Sequence, residues 1–191
     1  SMLHTSNLEV MKGLAALPYG PNSIGGSINY RTRPIPLKNE GRVQVSGGSF
    51  GQQLTLIEGG GATRGGLAGV LNASNAKSRG FKKLPFEKDT GFKKNDVLLK
   101  AEYELPGASN QAKIGFKAGY ADEISDETYL GLTSNDFSSD PNQRYAASEM
   151  DQMRWKHTRL QFDYGQSLGA GTAKASVYRH DFHRNWSRLN G

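Results

Sequence analysis

From Arg42 to Trp186 apolar and polar residues alternate with a period of two in short stretches broken by turn residues, and no stretch sustains the period of an amphipathic helix. Successive side chains of a strand point to opposite sides, so this pattern predicts a meander of strands with one greasy and one wet face. In Val97 to Leu105 the odd positions are Val97, Leu99, Ala101, Tyr103 and Leu105, and the even ones are Leu98, Lys100, Glu102 and Glu104. Ala112, Ile114, Phe116, Ala118 and Tyr120 form a second apolar row, set against Lys113, Gly115, Lys117 and Gly119. Thr158, Leu160, Phe162 and Tyr164 form a third, set against His157, Arg159, Gln161 and Asp163. Weaker rows are Val43 with Val45, Leu54 with Leu56, and Leu67 with Leu71 and Ala73, while Ala173 to Trp186 is mixed and its faces stay unassigned.

The connections between these stretches have a rhythm. Ser49-Phe50-Gly51 is tight, after which 61–65 is short, 79–94 long, 106–111 short, 122–152 very long and 169–172 short. An up-and-down sheet with tight turns on one rim and long polar loops on the other is the asymmetry of outer-membrane barrels, whose periplasmic turns are short and whose extracellular loops are long. A tilted membrane strand needs about 9–11 residues, and the alternating stretches suit that length. Tyr103, Tyr120, Trp155, Phe162 and Tyr164 are expected near strand ends, at the lipid interfaces. The predicted fold is therefore all-β, an antiparallel up-and-down meander forming part of a transmembrane β-barrel. The competing reading is a soluble antiparallel barrel or sandwich that binds a small ligand; alternation alone does not separate the two.

Composition thins the soluble reading. The 191 residues are 36% hydrophobic, a modest supply for a conventional core, and the 24 glycines and 8 tyrosines suit a turn-rich β chain. The net charge of +6 is spread along the chain, which permits contact with anionic lipid or nucleic acid. No aromatic platforms interleave the basic residues, so nucleic acid is not an expected partner. There is no cysteine, which excludes disulfides and thiolate metal sites. No apolar run approaches a membrane helix, no signal segment follows Ser1-Met2, and those two residues read as a tag scar before a start codon.

Motifs that could carry chemistry lack their context. Gly47-Gly48-Ser49-Phe50-Gly51 matches the nucleophile elbow, but a strand pattern follows where a helix is required. Ser74-Asn75-Ala76-Lys77 matches S-x-x-K at a strand end and not on a buried helix. His180 and His183 are three apart on a strand and face opposite sides, so they could not share a metal, and Asp136, Asp140 and Asn142 match no calcium loop. No base, nucleophile and orienter come together; neither an enzyme nor a cofactor or metal is expected. The pairs Lys82-Lys83 and Lys93-Lys94, at the ends of the first long loop, suit negatively charged lipopolysaccharide.

Leu8-Glu9-Val10-Met11-Lys12-Gly13, then Tyr19-Gly20, Gly25-Gly26, Ile28-Asn29 and Thr32-Arg33, resemble the end of the plug domain of TonB-dependent outer-membrane receptors. Glu127 to Leu132 and Arg144 to Ser148 resemble a long loop of the ferric dicitrate type within that family. The resemblance implies a plug remnant over 1–36 and the first strands of a barrel, about seven, over 37–191. It also implies a Gram-negative outer-membrane location, a ferric chelate as cargo, and coupling to the TonB complex in a longer parent. Lys12 stands where the family usually has an arginine, and with Arg33 it would serve as a plug-to-barrel latch; Lys offers a point charge in place of a bidentate fork. For an anionic chelate, the wet-face residues His157, Arg159 and Gln161 are the expected ligand contacts. A piece of barrel would leave raw sheet edges open to self-association and an apolar face to outer-membrane lipid.

Overall fold

The computed structural model describes residues 2–13, 25–106 and 112–189. Tyr19-Gly20 of the plug-like motif, most of the 106–111 connection and Asn190-Gly191 lie outside the described residues. Strands β1 (Thr5–Lys12) and β2 (Gly26–Thr32) pair as an antiparallel hairpin. A seven-stranded sheet follows in strict chain order: β3 (Glu40–Gly48), β4 (Gln52–Ala62), β5 (Leu67–Ser78), β6 (Phe92–Leu105), β7 (Ala112–Ser125), β8 (Gln152–Leu168) and β9 (Gly171–Ser187). Every neighbouring pair is antiparallel, and among the described residues β3 and β9 do not pair with each other, so the sheet is an open part of a barrel. β6 to β9 run longer than their alternating stretches because the ladder continues into polar residues on the long-loop side. The tight turn after β3 places Phe50 and Gly51 at left-handed φ of 57° and 64°, as a hairpin turn requires, and a strand follows it in place of the helix of a nucleophile elbow.

Burial tells the two faces apart. Val43, Val45, Leu71, Val97, Leu99, Phe116, Leu160 and Phe162 are exposed along one wall, while Asn72, Ser74 and Asp96 are buried on the other. A soluble sheet buries its apolar rows; here the wet face is the covered one, as in a membrane barrel with an apolar outside and polar lumen. The hairpin β1–β2 lies against this wet face, with Lys100 Nζ donating to the Arg33 carbonyl at 2.5 Å and Arg33 paired to Glu58 at 3.1 Å.

The outward belt is also diagonal. Followed strand by strand, the partners of Val43 and Val45 on β9 are Asp181 and His183, yet the outward apolar residues of β9 itself are Ala175 and Val177. The belt slides by roughly one residue per strand, which at ~3.3 Å per residue and ~4.8 Å between strands is a tilt of roughly 35°. Outer-membrane barrels tilt by about 35–45°. This slide explains why the last stretch is unreadable as a pattern: Arg179 and Asp181, ion-paired at 2.8 Å, face outward beyond the belt, and Tyr178, His180 and Phe182 face inward.

Three expectations are corrected. Leu56, not an outward residue, is buried on the lumenal wall, and Ile57 takes the outward position. Trp155 faces inward beneath Lys94, whose ammonium lies 5.0 Å from the ring centre, so it belongs to no lipid girdle. Phe162 sits mid-strand at the centre of the belt and not near an end.

Candidate functional site

The lumenal wall carries ionic side chains among polar and apolar ones. In register across the sheet run Glu58, Asn72, Leu98, Gly119 and Arg159, with Val70, Lys100, Lys117 and Gln161 one step toward the short-turn rim. A Cβ on Gly119 would stand 3.1 Å from Arg159 Nη2, so glycine at that position leaves the guanidinium its room. Arg159 reaches across to Asp96, Nη2 to Oδ1 at 3.8 Å, and His4 Nε2 approaches the same oxygen at 3.3 Å; His4 and Asp96 are each 1% exposed. Lys94 is paired with Glu123 at 3.0 Å. Lys117 makes no hydrogen bond or ion pair with any described residue.

Between the hairpin and this wall lies a cleft of about 700 Å³, bordered by His4, Tyr30, Lys94, Lys117, Glu123 and Arg159. Its size is that of a small-ligand site. Its charge suits an anion: Lys94 and Glu123 pair with each other and Arg159 approaches Asp96 at 3.8 Å, which leaves Lys117 as a cation with no ion pair to a described residue.

The residues expected from the sequence fall as follows. His157, Arg159 and Gln161 all face the lumen, on successive rows. Only Arg159 reaches the cleft. His157 stacks edge-on against His180 with ring centres 5.3 Å apart and against Phe182 at 5.6 Å, and the Gln161 amide is held by both oxygens of Asp163 at 3.0 Å. Arg33 bridges hairpin and wall through Glu58, whereas Lys12 is exposed with no ion-pair partner among the described residues. Of the four paired lysines, Lys82 donates to the Pro141 carbonyl, Lys83 is bridged through its backbone to the second long loop, Lys94 faces the lumen, and Lys93 alone faces outward. The S-x-x-K residues part company, Ser74 inward and buried and Lys77 outward. His180 and His183 likewise face opposite sides, and no group of three metal-capable side chains occurs among the described residues. No helix there is long and apolar enough to cross a membrane, which says nothing about strands.

The expectations from sequence omit Lys117, His4 and Asp96. Lys117 carries a usable signal, since it lies on the wet face opposite Phe116 and Ala118.

Over the long-loop rim the two long connections are knitted into one unit. Lys83 N donates to the Asn142 carbonyl at 2.7 Å and Arg144 N to the Lys83 carbonyl at 2.8 Å. Buried Arg144 then donates to the carbonyls of Asp126 and Ser148 and to Ser148 Oγ. Burial holds its guanidinium below the ordinary range, opposed by the carboxylates of Asp151 and Asp126; it stays cationic, as guanidinium does. The helix α1 (Ser134–Ser139) is capped by Thr133, and the Tyr145 and Thr133 hydroxyls donate to Asp136, holding its carboxyl below the usual carboxylate range. These bonds hold the two long connections to each other.

The structure superposes on the siderophore receptor PiuA of Acinetobacter baumannii with a TM-score of 0.71 at 14% identity, over 97% of this chain and 27% of that one. The fold is that of part of a TonB-dependent receptor barrel. The sequence is 26% identical over 203 aligned positions, 86% of this chain, to the vitamin B12 transporter BtuB of Photobacterium profundum. The chain spans 33% of that relative's length. No family model matches the sequence. One relative is named a transporter and the other a receptor; neither is named an enzyme.

Proposed function

We propose that this chain supplies the end of the plug and the first barrel strands of a TonB-dependent outer-membrane receptor that imports a ferric chelate, with residues 1–36 as plug and 37–191 as barrel. The observation that carries the reading is the inverted sheet: the apolar rows are outside, and the polar wall is covered by the N-terminal hairpin. A soluble ligand-binding module would instead have to cover the apolar wall. In this reading Arg33 latches the hairpin to Glu58 and is released when the plug moves, while Lys12 is available to a carboxylate elsewhere in the parent.

The cargo reading rests on the cleft. A chelate of ferric iron with carboxylate ligands is an anion, and Lys117 and Arg159 offer it charge at the lumenal wall, where field lines from low-dielectric walls are focused. His157 and Gln161 shape the neighbouring surface. Ferric dicitrate and cyanocobalamin, offered side by side to cells carrying the whole receptor, separate this cargo from the one named for the relative.

Binding of ferric dicitrate should fall by about tenfold in Lys117→Ala and further in Arg159→Glu, since removing or reversing a partly buried cation costs on the order of 1–3 kcal/mol. Unchanged ferric dicitrate binding in both variants, or uptake of cobalamin in its place, would overturn the chelate assignment. Uptake that persists after collapse of the inner-membrane proton gradient would overturn the energy-coupled part.

A further inference from the structure

Along β9, His180 and His183 face opposite walls and could not share an ion, but the ladder gives His180 a different partner. His157 of β8 is in register with Phe182, and His180 with Arg159, so the two histidines are diagonal neighbours on the lumenal wall. Diagonal neighbours on one face of an antiparallel pair are within reach of aromatic side chains. The imidazole centres lie 5.3 Å apart with their planes at 73°. His180 is exposed and His157 half-buried, and neither makes a hydrogen bond or ion pair with a described residue.

That spacing suits a bridging metal ion. An ion held by one nitrogen of each ring at ~2.0–2.1 Å, with a tetrahedral angle between the two bonds, sets the ring centres about 5 Å apart. The remaining adjustment is rotation about the Cβ–Cγ bonds, a broad torsion, and it leaves the backbone ladder as it is. Phe182, its ring centre 5.6 Å from that of His157, and Trp155, 6.1 Å from Phe182, border the pair on the long-loop side. Tyr178, 5.6 Å from His180, borders it on the short-turn side.

The surroundings also select the kind of ion. On these two strands the lumenal carboxylate Asp163 is held by Gln161 and Ser176, and Asp181 is ion-paired to Arg179 on the outer wall. Asp96, on β6, is engaged by His4 and Arg159. Calcium and magnesium take oxygen ligands and meet no uncommitted carboxylate here, whereas imidazole suits zinc, nickel and copper. Arg159, in register with His180, reaches the other way toward Asp96, which draws its charge away from β9.

We propose that His157 and His180 bind a divalent transition-metal ion of the zinc class on the lumenal wall, with water in its remaining positions. The site stands apart from the cargo cleft, which favours anions, and does not depend on which cargo crosses the lumen. His4 is committed to Asp96 and takes no part.

The test titrates zinc chloride into the 191-residue chain in neutral detergent and reads binding by isothermal calorimetry. His157→Ala and His180→Ala should each weaken Zn²⁺ binding by at least about tenfold, since losing even a ligand's outer-shell partner costs about 10–100-fold. His183→Ala, on the outer wall of the same strand, should leave binding unchanged. Histidine modification by diethyl pyrocarbonate, mapped by mass spectrometry, gives a second readout on the unaltered chain. Zn²⁺ should protect His157 and His180 and leave His183 reactive. Should either alanine variant fail to fold, that footprint decides. No Zn²⁺ binding by the parent, unaltered affinity in His157→Ala or His180→Ala, an equal loss in His183→Ala, or a footprint without protection at both His157 and His180 would each overturn the site.

Discussion

On β6 two neighbouring leucines have opposite surroundings: Leu98 is 1% exposed beneath the N-terminal hairpin, and Leu99 is 40% exposed on the outer wall. The same contrast holds for Arg159 and Leu160 on β8, where the charged residue is the more covered of the two. From β4 to β8 the covered residues lie mainly on the hairpin's wall, whether apolar or polar, whereas on β9 even the inward Tyr178 and Phe182 are exposed. In the proposed reading lipid covers the outer wall, and the inner wall is covered by the hairpin and by ion pairs such as Arg33–Glu58. A substitution of one chemical kind should therefore have different consequences one residue apart.

The largest difference is expected from truncation. Leu98→Ala leaves a void that the hairpin and wall only partly close, at a cost of about 2–5 kcal/mol; Leu99→Ala should cost less, because acyl chains fill the gap. Urea unfolding in lipid vesicles, followed by Trp155 and Trp186 fluorescence, measures both, and equal costs would break the comparison. Next is added charge: Phe162→Arg at the belt's centre should cost about 2–4 kcal/mol, and Gln161→Arg on the lumenal wall much less. A smaller effect is expected from Glu58→Gln, which unpairs Arg33. Both partners are partly exposed to solvent, so the change should be about 1 kcal/mol or less, seen as faster amide exchange in the hairpin at Leu8 and Val10 with β6 unaffected.

The smallest is at the rim, outside both walls. The Asp136 carboxyl is held low by the Tyr145 hydroxyl and then that of Thr133, so its contribution is complete above the ordinary carboxylate value of about 3.9 and is lost as pH falls through the lowered value. Amide exchange at Asp136 should rise only in that acid range, while the sheet keeps its protection. Exchange that rises already near neutrality would contradict the assignment.

The rows on β6, β7 and β8 are legible in the sequence because each strand repeats the alternation through the full belt. The rhythm of the connections is legible for the same reason, each turn falling between two readable strands. Leu54 and Leu56 mislead because Ile57 follows directly, and parity cannot say which of two adjacent apolar residues is outward; the hairpin makes an apolar residue acceptable inside. β9 is unreadable because tilt carries its belt toward the short-turn rim, a property of the whole sheet and not of one strand. The meeting of His4 with Asp96 joins distant parts of the chain, and no local pattern reports it. Arg159 stands out in the sequence by face alone, and its approach to Asp96 requires the third dimension.

The central claim is that the apolar rows face lipid and the polar rows the lumen. The chain has no cysteine, so single substitutions can be labelled without background. Arg159→Cys, Leu160→Cys, Gln161→Cys and Phe162→Cys, each carrying an environment-sensitive fluorophore in lipid vesicles, should divide by parity. The labels at 160 and 162 should be quenched by bromines on lipid acyl chains and shielded from aqueous iodide. Those at 159 and 161 should be untouched by the brominated lipid. Equal lipid quenching at all four positions, or quenching confined to 159 and 161, would contradict the account.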